Sequence, residues 1–126
     1  MGRGVIMENM ECDIKVVAGG FLVIKPKFSR LDITNASAFK NEILSIIERN
    51  REKFLIDLSR VLLIDSKGIG AMVSIYKAMK NKEDLILCGI NPVVEEIFKI
   101  TGVIALFNIV PTEEAFLSLL AAPHKV

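Results

Sequence analysis

The sequence predicts a single α/β domain: a mixed sheet of four or five strands, opened by a hairpin and covered by about four helices. Three observations carry this. Two short apolar runs flank Gly19-Gly20 near the start. From residue 36 onward, segments with helical spacing alternate with short apolar runs. The chain has 126 residues, of which 52% are hydrophobic, which suits one core and hardly two.

The elements follow in order. Residues 13–18 (DIKVVA) alternate polar and apolar, and residues 21–25 (FLVIK) continue beyond the Gly-Gly turn, so the two runs predict a hairpin. Pro26 limits pairing at the end of the second strand. A loop, KFSRLDITNA, leads into a first helix with Asn35 or Thr34 as its cap, and Ala36, Phe39, Ile43, Leu44, Ile46 and Ile47 on its apolar face. Residues 54–58 (FLIDL) are mostly apolar, as a central strand should be. After the connection SRVLLID comes a second helix, with Ile69, Met72, Val73, Tyr76 and Met79 inward. Lys77, Lys80 and Lys82 lie on or beyond its solvent side, and Lys82 suits a helix C-terminus.

Residues 85–89 (LILCG) form the next strand. Asn91-Pro92 starts a third helix with Pro at its first position, and Gly102 ends it. Residues 104–109 (IALFNI) predict a short strand. Thr112 caps a last helix whose inward residues are Ala115, Phe116, Leu119 and Leu120. Residues 1–12 and 121–126 are expected to be flexible ends around a domain spanning 13–120.

Composition excludes several functions. Sixteen basic and fifteen acidic residues leave a formal charge of +1, which gives no electrostatic reason to expect nucleic acid or an anionic membrane as partner. No apolar run approaches the roughly 18 residues of a membrane helix, and the N-terminus lacks a signal peptide's apolar core, so a cytoplasmic protein is expected. Cys12 and Cys88 provide no disulfide framework. His124 is the only histidine and sits in the expected tail, which leaves Ser–His, Cys–His and zinc chemistry without parts. No catalytic residue, cofactor or metal site is expected. Asp57 and Asp65 are conceivable as a carboxylate pair, but strand alternation favours Asp57 bonding nearby backbone.

The informative stretch is VLLIDSKGIGAMVSIYK, residues 61–77, where an apolar run meets a helix at Asp65-Ser66-Lys67-Gly68. Gly68-Ile69-Gly70 beside Lys67 hints at a phosphate loop, yet both GxxxxGK[ST] and GxGxxG are absent, and the glycines equally suit close packing. Ser66 has two readings. Its hydroxyl can cap the helix, or it can accept a phosphate whose charge the unpaired N–H groups and Lys67 would tolerate.

The wider pattern resembles the anti-sigma factor antagonists, the bacterial branch of the STAS domain family. Asp57-Leu58-Ser59-Arg60-Val61, then Leu63-Ile64, then Asp65-Ser66-Lys67-Gly68-Ile69-Gly70 is similar to the family's D-L-S-x-V and D-S-x-G-[LI]-G segments. Arg30-Leu31-Asp32 with Ala36, the N-P-x-V helix at Asn91, and the closing Thr112–Ala115 run extend the likeness over nearly all of residues 13–120. The chain departs from the family pattern at Ser29, at Pro26-Lys27 and at Lys67.

The resemblance implies a non-enzymatic switch. The unphosphorylated form would bind a serine-kinase anti-sigma factor and so release the sigma factor. Phosphorylation of Ser66 would reverse binding, and a PP2C-type phosphatase would restore it. The implied contact surface is Asp32, Asp65, Ser66, Lys67, Gly68 and Ile69. The alternatives are a STAS scaffold or transporter-associated subunit, the latter giving an indirect link to a membrane, and a nucleotide-binding module at Lys67 and Gly68–Gly70. Oligomeric state is left open.

Overall fold

The structure, a computed structural model, describes residues 11–50 and 53–121. Most of the two expected flexible ends, and with them His124, lie outside the described residues.

The predicted hairpin is present. Strand β1 (Cys12–Val16) runs antiparallel to β2 (Phe21–Pro26), with Ile14 opposite Ile24. A short 3₁₀ turn, Ala18–Gly20, joins them, and Gly19 and Gly20 both adopt positive φ, which glycine alone adopts at low cost. The chain then makes a two-residue strand β3 (Arg30–Leu31), helix α1 (Ala36–Asn50), strand β4 (Lys53–Asp57), a second two-residue strand β5 (Leu63–Ile64) and helix α2 (Ser66–Ala78). Strand β6 (Leu85–Cys88), helix α3 (Pro92–Thr101), strand β7 (Asn108–Val110) and helix α4 (Glu113–Ala121) complete it.

The main sheet has the order β1-β2-β4-β6-β7, antiparallel only at the hairpin. Strand β4 is central, as its apolar run requires. Alternation divides its side chains between two cores. Phe54 and Ile56 join Ile43 and Ile46 of α1, Met72 and Ile75 of α2, and Val94 and Phe98 of α3. On the opposite face Leu55 joins Phe21, Val23, Cys88 and Phe116 of α4. Three helices therefore cover one face and a single short helix covers part of the other.

The helix ends follow their local chemistry. Asn91 caps α3, accepting from the Val94 amide at 2.9 Å, with Pro92 just inside. Gly102 closes it in the left-handed conformation, at φ 81°. Thr112 Oγ1 accepts from the Ala115 amide. Lys82 Nζ donates to the carbonyls of Tyr76, Lys77 and Met79, neutralising the end of α2 as expected.

Several expectations are corrected. The first strand ends at Val16 rather than 18. The apolar run at 104 folds as a 3₁₀ turn, Val103–Leu106, and the strand starts only at Asn108; a short apolar run does not by itself distinguish the two. The buried face of α2 is centred on Gly68, Ala71, Met72 and Ile75, one position away from the predicted stripe, so Val73 and Tyr76 sit at its margin. Leu119 of α4 is exposed, because the face that packs on the sheet is set by Phe116 and Leu120. The link SRVLLID contains strand β5.

Cys12 and Cys88 are free and buried in different cores, on opposite faces of the sheet. Burial pushes both thiols up to about 12, so the thiolate that reacts with electrophiles is scarce at neutral pH. Native protein is expected to leave a thiol reagent unconsumed at mildly alkaline pH and to consume two equivalents once unfolded in guanidinium. Rapid native labelling would contradict this packing.

Candidate functional site

The site is built where three short pieces of chain meet: the loop 32–35, the ladder β3–β5 and the first turn of α2. Strands β3 and β5 pair in parallel, Arg30 opposite Leu63 and Leu31 opposite Ile64. The Ser29 carbonyl accepts from the amides of Leu62 and Leu63, and the Leu31 carbonyl accepts from Asp65 N. This small ladder lies outside the main sheet. It places the loop before α1 beside the loop before α2.

Asp65, not Ser66, caps α2. Its backbone is extended (φ −109°, ψ −173°), as a cap requires, and its Oδ1 accepts from the Gly68 amide at 2.9 Å. Such a cap contributes about 1 kcal/mol. Its second oxygen, Oδ2, accepts from the amide of Ile33 at 3.1 Å. One carboxylate thus joins the helix to the neighbouring loop. Ser66 is the first residue already in helical conformation, so its side chain is released from capping. It is exposed, and its hydroxyl makes no hydrogen bond among the described residues.

The loop 32–35 is held by its own side chains. Asp32 Oδ1 accepts from Thr34 Oγ1 at 2.5 Å and from Thr34 N at 3.0 Å. These bonds, the side-chain one foremost, hold the Asp32 carboxyl below its usual range. Asn35 Oδ1 accepts from Asp32 N, and its amide group donates to the Arg30 carbonyl. Asn35 and Thr34 therefore fasten the loop, in place of the side-chain cap on α1 expected of one of them.

The expected contact residues divide into two sets. Ser66 and Lys67 are exposed, and Asp32 and Asp65 are half-buried. Gly68 and Ile69 turn inward. A Cβ on Gly68 would stand 2.3 Å from the Leu31 carbonyl oxygen and 2.6 Å from Ile64 Cγ1. Gly68 is therefore a packing glycine that lets α2 approach the ladder, while Ile69 belongs to the core. The exposed apolar side chains here are instead Ile33 (69%), Leu62 (55%) and Leu63 (46%). Reasoning from the sequence missed them. The available signal was an isoleucine inside a polar loop, and a Leu-Leu pair beside the single inward residue that a two-residue strand needs.

Asp57 is no partner for Asp65. It points to the α4 face of the sheet, where Oδ1 accepts from Ser59 N at 2.9 Å and Lys25 Nζ lies 3.9 Å from Oδ2. Among the described residues no group of three or more His, Cys, Asp or Glu side chains is placed to hold a metal.

A mixed sheet begun by a hairpin, with an exposed serine on the first turn of the helix that follows the β3–β5 ladder, defines a small α/β domain of the kind found in one family. The STAS domain model matches residues 14–116, and the chain belongs to that family. BtrV of Bordetella bronchiseptica, a relative named for anti-sigma factor antagonism, is 27% identical over 82 residues, 64% of this chain and 71% of its own. The Bacillus anti-sigma factor antagonist SpoIIAA has been solved unphosphorylated and phosphorylated. The unphosphorylated form superposes with a TM-score of 0.72 at 19% identity, covering 90% of this chain and 99% of that one. A segment of the mouse anion transporter Slc26a9 shares the fold at TM-score 0.69 and 15% identity, covering 86% of this chain but 19% of the transporter. Among the described residues no helix is long and apolar enough to cross a membrane.

Proposed function

We propose that this protein is a phosphorylation-controlled anti-sigma factor antagonist, a regulator in the cytoplasm rather than an enzyme. In the unphosphorylated state it binds a serine-kinase anti-sigma factor and so frees a sigma factor. The kinase transfers the γ-phosphoryl group of ATP to Ser66 Oγ, the complex separates, and a PP2C-type phosphatase removes the group. The observation that carries this reading is Ser66 itself: exposed, not engaged in capping, and without a side-chain hydrogen bond among the described residues, beside exposed Ile33, Leu62 and Leu63. That apolar patch suits a protein partner. A dianion placed in an interface formed around a neutral hydroxyl adds desolvation cost and repulsion, which favours release.

Asp65 is a positioning residue in this scheme. Both of its oxygens already serve amides, so it sets the Ile33 loop and the serine in register. The half-buried Asp32 offers a partner a carboxylate that stays ionised. The transporter-subunit reading shares the fold, and the exposed Ser66 is the feature that favours the antagonist reading.

The test is intact-mass measurement after incubation with the cognate kinase and ATP. Wild type should gain one phosphate and Ser66→Ala none. Phosphate gained at full rate by Ser66→Ala would overturn the assignment.

A further inference from the structure

A groove of about 560 Å³ runs between the N-terminal halves of α1 and α2. Ser66 lies on its rim, and Ile33, Ser37, Lys40, Lys67 and Ser74 line it. Two features of its lining act together. Lys40 and Lys67, like Lys53, Lys77, Lys80 and Lys82, are in no ion pair among the described residues, but these two line one groove from different helices. Moreover, no acidic residue lines the groove. The nearest carboxylates by connectivity are engaged elsewhere, Asp65 by Gly68 and Ile33 and Asp32 by Thr34. In the first turn of α2, the Gly68 and Ile69 amides are taken by Asp65. Those of Ser66 and Lys67 are left without a partner among the described residues.

We propose that this groove receives the chain's own Ser66 phosphate, with Lys40 of α1 and Lys67 of α2 as its counter-ions. The inference rests on Ser66 being the modified residue. A phosphate of charge near −2 offers three acceptor oxygens, and two ammonium groups lining the same groove together with two open amides supply matching donors. The modification then does more than add charge at the interface. It fills the groove and withdraws two cations that line it beside the serine in the unphosphorylated protein. Phosphorylation changes the surface twice, by what it adds and by what it consumes.

The clamp is tested without any kinase by installing phosphoserine at position 66 during translation and following the phosphorus resonance with pH. An unclamped phosphoserine has its second pKa near 6. In the clamped protein it should fall by roughly one unit. Lys40→Gln should return a measurable part of that shift. Because Lys40 is on the other helix, its effect cannot come from the α2 N-terminus alone. An ordinary value in the wild-type phosphoprotein, or a lowered value that Lys40→Gln leaves untouched, would overturn the clamp. Either outcome is independent of whether a kinase acts on Ser66, so failure here and failure of the phosphorylation assignment are separately visible.

Discussion

Ser66→Asp is expected to weaken binding to the anti-sigma partner by about tenfold or more, which is about 1.4 kcal/mol, while folding stability changes by less than about 1 kcal/mol. The two effects separate because of where the residue sits. Position 66 is the first helical residue of α2 and is exposed, so a carboxylate there meets the positive end of the helix and Lys67. Asp65 next door opposes it, which keeps the net change small. In an interface closed around Ile33, Leu62 and Leu63, the same carboxylate would lose its water to an apolar surface that offers it no donor. Titration calorimetry with the purified partner, alongside chemical denaturation of the variant, measures both. Unchanged affinity would remove Ser66 from the interface.

Gly68→Ala is expected to be the most destabilising small substitution in the site, at about 2–3 kcal/mol. Helix propensity alone predicts the opposite, a gain of up to about 1 kcal/mol. Geometry decides. The new methyl would stand 2.3 Å from the Leu31 carbonyl oxygen, and that oxygen already accepts from Asp65 N at 3.2 Å. Making room for the methyl strains the β3–β5 ladder as well as the helix. Gly70 provides the internal control, since a Cβ there meets nothing within 4 Å. Gly70→Ala should raise stability by about 0.5–1 kcal/mol. Urea midpoints of the two variants should therefore move in opposite directions. A Gly68→Ala protein as stable as wild type would disprove the close approach of α2 to β3.

The element order was legible because the core strands and helices are long enough to show their periods, as in FLVIK, FLIDL and the Phe39–Ile46 stripe. Strands β3 and β5 were not, since two residues carry no period. The cap was misplaced by one residue for a related reason. Asp65 and Ser66 are both good caps, and only the backbone angles decide which stands outside the helix. The position of Ser66 was legible from motif spacing. Its apolar surroundings were not: Ile33 is 32 residues from the Asp65 whose carboxylate holds its amide, and nothing local reports that meeting.

That separation bears on how the serine is presented to an enzyme. The β3–β5 ladder joins segments lying on either side of α1 and β4, so it exists only where the chain has folded back through both elements. A linear peptide of residues 61–77 would contain the serine, yet it would lack the Ile33 loop and the fixed helix start. An enzyme that grips both segments would discriminate against nascent, unfolded or proteolysed chains. Signal transfer would then be restricted to molecules that have passed a structural quality check.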